Sequence, residues 1–159
     1  MAQSRGSAVR SDESTAADLG PLVSSDALAR TAAEMCRQHE RVSKLIALNV
    51  STNELQAAHA MVETIDLALA EAVKDFEKKC AKVPVTEVGE VRSAANAMWL
   101  AAREHLRRHS IAERASRQIT QGDDTLNNLH FEYELEASAL LGLKQATTTY
   151  LKLRPDARV

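Results

Sequence analysis

The segment 50–80 reads VSTNELQAAHAMVETIDLALAEAVKDFEKKC and combines a helix start signal with a long amphipathic repeat. Ser51 and Glu54 fit a capping box, in which the side chains bind free amides of the first helical turn. Apolar residues then return every three or four positions, which is the spacing of one helix face. Leu55, Val62, Leu69 and Phe76 mark this face at intervals of seven residues, or about two turns. The segment therefore predicts a long amphipathic helix that begins near Ser51.

Three further stretches, 28–50, 88–112 and 126–151, keep the same apolar spacing. The breaks between the four stretches fall at Ser51, Pro84 and Gly122. Because short connections force consecutive helices to run antiparallel, the pattern predicts an all-α, up-down-up-down antiparallel four-helix bundle with long helices. One continuous helix through Ser51 is the alternative for the first break. Five glycines and three prolines are too few for the many turns of an all-β fold.

The length of 159 residues and the 45% apolar fraction suit one globular domain. Residues 1–23 are rich in Ser, Ala, Asp and Gly without an apolar period, so we expect a flexible, disordered N-terminal tail. The bundle is expected over 24–154 and a C-terminal tail over 155–159. The expected helix caps and stops are Ser24 or Ser25, Thr86, Asp123 or Asp124, and Pro155.

A formal net charge of −2 gives the chain no general attraction to nucleic acid or to an anionic membrane. The chain has no apolar run approaching the roughly 20 residues of a bilayer span. One basic run is present on the third predicted helix, and we interpret it as a solvated helix face: Arg103, Arg107, Arg108, Arg114 and Arg117. We therefore expect neither a nucleic acid nor a membrane as the partner.

The first ten residues contain no hydrophobic block of a secretory signal, which favours a cytoplasmic protein. Cys36 precedes the turn at Ser51 by about 15 residues and Cys80 follows it by about 29. At a rise of about 1.5 Å per residue, their levels in a hairpin differ by roughly 20 Å. Both cysteines are therefore expected to be reduced.

The five histidines have an ordered distribution over the predicted helices. His39 lies on the first helix, an HxxxE pair (His59 and Glu63) on the second, an HxxxH pair (His105 and His109) on the third, and His130 on the fourth. Residues four apart share a helix face, so each pair can present two ligands to one metal centre. Counting from Pro84 in an antiparallel pair places Glu63 beside His105 and His59 beside His109.

This order of ligands resembles hemerythrin-like proteins, which are four-helix bundles with a non-haem di-iron centre. Their series runs His, HxxxE, HxxxH and HxxxxD, one element per helix. The resemblance covers the ligand order alone, and Leu135 stands where the family has Asp, so the last carboxylate has to come from Glu134 or Glu136. It implies an oxygen- or iron-binding di-iron site with the ligands His39, His59, Glu63, His105, His109, His130 and Glu134.

Apart from the last carboxylate, which is either Glu134 or Glu136, the metal-ligand candidates fall into two groups according to the helix face on which they lie. His39, His105 and His109 fall on the apolar stripes and are expected to point inward. The other three, His59, Glu63 and His130, fall at the margins of the stripes. The alternative to a metal site is therefore a pair of hydrogen-bonded histidines at the edge of the core, with solvated histidines elsewhere.

No glycine-rich phosphate loop, Ser/His/Asp set or CxxC pair is present, and we assign no catalytic residue. Several apolar side chains fall off the predicted core stripes and suit a surface for a partner or for self-association: Leu67, Leu100, Phe131, Leu135 and Leu153. The acidic segment 132–136 and the basic run of the third helix also allow charge complementarity. The sequence thus favours a non-enzymatic helical-bundle interaction, adaptor or assembly subunit, without a cofactor. The hemerythrin-like di-iron protein is the alternative.

Overall fold

The computed structural model describes the backbone of residues 2–80, 89–118 and 123–158, and the side chains of 21–80, 89–118 and 127–157. Its elements are four long helices and a C-terminal 3₁₀ helix (Pro155–Arg158): α1 (Ala2–Ala47), α2 (Thr52–Cys80), α3 (Glu90–Arg117) and α4 (Asp123–Leu153). They form an up-down-up-down antiparallel bundle, and the described residues contain no strand. The predicted fold class is confirmed.

The α1–α2 turn ends one helix and starts the next within four residues. Asn49 adopts a left-handed conformation with φ 54°, as the residue after a helix C-terminus often does. The amide of Glu54 donates to Oγ of Ser51 at 3.3 Å, which confirms the serine half of the predicted capping box. This turn excludes the alternative of one continuous helix through Ser51.

The start of α1 differs from the expected start at Ser24. The helix includes Pro21, and the hydroxyl of Ser25 donates to the carbonyl of Pro21 at 2.7 Å. Ser24 lies inside this helix and does not cap it; its hydroxyl donates to Oδ2 of Asp75 on α2 at 2.6 Å. Flexibility of residues 1–23 stays a prediction, and the expected signals at Pro84, Thr86 and Gly122 lie outside the described residues.

The main core lies in the half of the bundle away from the α1–α2 turn, which we call the lower half, and all four helices contribute buried side chains to it. The largest of its apolar and aromatic side chains are Leu28, Met35, Leu69, Phe76, Met98, Leu143 and Tyr150. The segment after residue 154 joins this core, because Ala157 is buried and its carbonyl accepts a hydrogen bond from Arg30 of α1 at 3.2 Å. Cys36 and Cys80 are both free, as predicted.

A second, smaller core lies nearer the α1–α2 turn and belongs to one hairpin only. Val42 of α1 packs with Ala58 and Val62 of α2, flanked by Leu45 and Leu55. The apolar core is therefore not continuous over the length of the bundle. Ionisable side chains from all four helices lie between the shared core and the end that carries the α1–α2 turn, which we call the open end.

Candidate functional site: a polar layer below a cleft

Five ionisable residues meet inside the bundle, and every helix contributes at least one of them. We call this group the polar layer: His39 (α1), Asp66 (α2), His105 and His109 (α3), and Glu136 (α4). Antiparallel packing of long helices brings these distant sequence positions to one level. The layer therefore depends on the packing of all four helices.

The innermost contact of the layer joins His105 and Asp66. Nε2 of His105 lies 3.2 Å from Oδ1 of Asp66, and the His105 side chain has no exposed surface. Asp66 is buried because it follows Val62 by four residues and precedes Leu69 by three, which places it on the apolar stripe of α2. A carboxylate in such a position requires a polar partner, and His105 supplies one.

His109 connects Asp66 to the fourth helix. Its Nε2 lies 2.9 Å from Oδ2 of Asp66 and 3.3 Å from Oε1 of Glu113, and its Nδ1 lies 2.5 Å from Oε1 of Glu136. Hydrogen bonds to Asp66 and Glu136 raise the pKa of His109 from 6.5 to about 10. Burial alone would raise the pKa of Asp66, but its hydrogen bonds with His105 and His109 lower it to about 2. The layer therefore contains an imidazolium between carboxylates at neutral pH.

His39 completes the layer from α1. Its ring meets the ring of His105 edge to face, with 5.3 Å between the centroids. Burial and the nearby His105 lower the pKa of His39, so its imidazole is neutral at pH 7. Its Nε2 is buried without a hydrogen-bond partner among the described residues. One donor atom from each of His39, Asp66 and His105 lies within 4.8 Å of the other two, which is a spacing that one metal ion can span.

A cleft of about 730 Å³ opens above the polar layer, between the α1–α2 hairpin and the α3–α4 hairpin. Three layer residues (His39, His109 and Glu136) line it. Its apolar lining comes from all four helices and includes Val42, Val62, Ala112, Tyr133, Ala137 and Leu140. The layer is thus reachable from the open end of the bundle.

The residues that the sequence singled out as metal-ligand candidates separate into three groups. His39, His105 and His109 come together inside the bundle, as their predicted inward facing requires. Two more, His59 and Glu63, are exposed and line the cleft. The remaining two lie on an exposed face of α4, where Nε2 of His130 pairs with Oε1 of Glu134 at 3.1 Å.

The level matching between α2 and α3 was wrong by about one turn. The sequence placed Glu63 beside His105, but Asp66 contacts both His105 and His109. The predicted levels counted equal numbers of residues on either side of Pro84 and expected the third helix to be capped at Thr86. In the structure α3 begins at Glu90, so residues of α3 lie later in sequence than that count assumed.

Asp66 is the functional candidate that the sequence analysis missed. The ligand prediction depended on pairs four residues apart, and Asp66 has no such partner on its own helix. The usable signal was a single carboxylate on an otherwise apolar stripe. Glu136 had been considered only as a substitute for Glu134 at the last ligand position, and it is the glutamate that contacts His109.

The other surface expectations are partly confirmed. Leu67, Leu100 and Phe131 are exposed as predicted, whereas Leu135 and Leu153 are half-buried. The basic run of α3 is largely neutralised by nearby glutamates, through the pairs Arg103–Glu77, Arg107–Glu104, Arg108–Glu104 and Arg117–Glu113. This pairing agrees with a solvated, charge-balanced helix face.

Protein-family models, curated proteins and solved structures give no significant match to this chain. Within the described ranges, no helix has the length and apolar character that crossing a bilayer requires. The polar layer, the cleft and the exposed apolar side chains are therefore the basis for a functional inference.

Proposed function

We propose that this protein is a non-enzymatic assembly subunit that self-associates through the open end of its bundle. The observation that carries the proposal is the presence of an exposed apolar turn and an apolar cleft at the same end of one molecule. The turn carries Ile46 and Leu48, which are 58% and 73% exposed. Exposed side chains of this size and number favour a protein contact.

The apolar exposure at this end is not confined to the turn. Among the side chains that the structure describes, nine large apolar ones are exposed, and five of them lie there: Ile46, Leu48, Met61, Phe131 and Tyr133. Tyr133 also lines the cleft, so the exposed surface is continuous with the cleft wall at this point. The open end therefore offers both convex and concave apolar surface.

We infer that a second copy of the chain is the partner, because each copy carries both an exposed apolar turn and an apolar cleft. In a two-fold dimer, the turn of each copy meets the cleft of the other, so each surface requires no further complement. The charges of the cleft are also mixed, because its lining contains Lys44, His109 and Arg117 together with Glu40, Glu63, Glu113 and Glu136. Side chains of both signs allow opposite charges to pair across a two-fold axis.

Light scattering of the purified chain over a range of concentrations tests the proposal. We expect a dimer, and Leu48→Asp should raise its dissociation constant at least tenfold because it places a charge in the apolar contact. Ala137→Glu, an exposed position on the cleft wall, should have the same effect from the concave side. The matched control is Leu100→Asp, since Leu100 is 56% exposed on α3 outside the open end.

A strictly monomeric protein at high micromolar concentration would contradict the proposal. So would equal weakening by Leu48→Asp and Leu100→Asp, because the contact would then not be specific to the open end. Circular dichroism of each variant shows whether the helical fold is retained. All three substitutions are at exposed positions, so we expect little change in stability.

A further inference from the structure

We propose that the polar layer binds one divalent transition-metal ion through ring nitrogens of His39 and His105 and a carboxylate oxygen of Asp66. This site does not depend on the proposed self-association, because all three ligands belong to one chain. It also differs from the di-iron set that the resemblance implied, since it includes Asp66 and requires neither His59 nor His130.

The spacing of the donor atoms carries the proposal. Ligands of a tetrahedral ion at about 2.1 Å stand roughly 3.4 Å from one another. Nε2 of His105 and Oδ1 of Asp66 are 3.2 Å apart, which is already close to that separation. A donor atom of His39 lies within 4.8 Å of both, so a small side-chain rotation completes the set.

The unpartnered nitrogen of His39 points to a ligand. Its Nε2 is buried, and no described residue accepts or donates a hydrogen bond there. A buried polar atom without a partner destabilises the fold, whereas coordination of a metal ion satisfies it. A purely structural hydrogen-bond pair between Asp66 and His105 gives no role to this nitrogen.

The residues around the donors are arranged as the outer shell of a metal site commonly is. Nε2 of His109 lies 2.9 Å from the second oxygen of Asp66, and Glu136 holds the other ring nitrogen of His109. Such outer contacts fix the orientation of a metal-binding carboxylate. Asp66, Glu113 and Glu136 place three carboxylates around the single His109 imidazolium, so the surroundings keep a net negative charge that favours a cation.

Two imidazoles and one carboxylate are donors that Zn²⁺, Fe²⁺, Co²⁺ and Ni²⁺ accept, whereas Mg²⁺ and Ca²⁺ prefer oxygen ligands. Three protein ligands leave at least one coordination position for water or another small donor. Because His39 lines the cleft, this position is reachable from the open end of a monomer. The ligand class is therefore a borderline first-row ion in an accessible site.

Calorimetric titration of chelator-treated, full-length protein with Zn²⁺ tests the site, and Co²⁺ absorption reports the ligand field. We expect one ion per chain. His39→Gln and Asp66→Asn should each weaken Zn²⁺ binding at least 100-fold, because each removes one of three ligands. The matched control is His130→Gln, which removes an exposed histidine outside the layer and should leave the affinity unchanged.

Absence of Zn²⁺ binding by the wild-type chain, or equal weakening by His39→Gln and His130→Gln, would overturn the proposal. His39→Gln decides the matter if Asp66→Asn fails to fold, since His39 is only half-buried. The Leu48→Asp variant separates the two proposals: it should bind one Zn²⁺ with wild-type affinity even when it is monomeric. Loss of dimerisation with retained metal binding, or the reverse, identifies which proposal fails.

Discussion

Nε2 of His105 lies 3.2 Å from Oδ1 of Asp66, although His105 has no exposed surface and Asp66 is only 7% exposed. The pair lies where the apolar core shared by four helices ends. Without metal, the contact between the two side chains replaces the hydrogen bonds to water that each loses on burial. Removal of one partner leaves a buried polar group with fewer partners, which is more costly than removal of both.

We therefore predict strong coupling between Asp66 and His105 in the metal-free protein. Asp66→Leu alone should lower the free energy of unfolding by about 3 kcal/mol, since it leaves His105 unpaired in the core. The double variant with His105→Leu should lose at least about 1 kcal/mol less than the sum of the two single variants. Urea unfolding followed by circular dichroism in the presence of a chelator measures each value.

The exposed pair of His130 and Glu134 serves as the control for this cycle, because its atoms are also about one hydrogen bond apart, at 3.1 Å. Its coupling should stay below about 1 kcal/mol, as is usual for surface ion pairs. Additive effects of Asp66→Leu and His105→Leu would show that the buried contact does not stabilise the fold.

A second prediction concerns the pH dependence of stability. Hydrogen bonds to Asp66 and Glu136 raise the pKa of His109 to about 10 in the folded state, above its ordinary 6.5. This contribution is fully present below pH 6.5 and is lost as the pH rises toward 10. The free energy of unfolding of the metal-free protein should therefore fall between pH 6.5 and 9, and His109→Gln should flatten this slope.

The window ends at pH 9 because other groups act above it. Burial raises the pKa of the Cys36 thiol to about 11, so the folded state disfavours its ionisation above the ordinary value of 9.0. His59→Gln is the control, since His59 is exposed on the cleft wall. If the slope between pH 6.5 and 9 survives in His109→Gln, the half-buried His109 imidazolium does not cause it.

The fold was predictable because local signals and the apolar period agree. Asn49, in a left-handed conformation, follows the end of α1, and Ser51 caps the start of α2. The expected start at Ser24 differs from the structure, in which α1 begins at Ala2 and the Ser24 hydroxyl, inside the helix, binds Asp75, 51 residues away. Tertiary contacts of this kind have no local signature.

The polar layer was only partly predictable for the same reason. The facing of His39, His105 and His109 follows from helical periodicity, and the structure confirms it. The partners of these histidines depend on the relative shift of α2 and α3, and an error of one turn exchanged Glu63 for Asp66. The apolar period along one helix fixes which side chains point into the bundle. The height at which two helices face each other depends on the length of the connection between them.

A third prediction addresses the contact between Tyr150 and Asp26. The hydroxyl of Tyr150 donates to Oδ1 of Asp26 at 2.5 Å, and the Tyr150 side chain is fully buried. Tyr150→Phe keeps the ring but removes a hydrogen bond to a charged group, so the free energy of unfolding should fall by about 2 kcal/mol. Tyr133→Phe, at an exposed position of α4, should change it by less than about 0.5 kcal/mol. Equal effects in urea unfolding would contradict a stabilising role for the Tyr150–Asp26 contact.

The fourth prediction compares two neighbouring positions of α3 that face opposite environments. Met98 has no exposed surface and packs in the core shared by the helices, whereas Leu100 is 56% exposed. Met98→Ala should lower the free energy of unfolding by about 3 kcal/mol, because it removes buried apolar surface and leaves a cavity. Leu100→Ala removes a similar volume from solvent and should cost less than about 0.5 kcal/mol. Since alanine is a good helix former, neither substitution should weaken α3 itself, and the difference in urea midpoints reports packing alone. Equal midpoints would mean that the side chain of Met98 does not pack between the helices in solution.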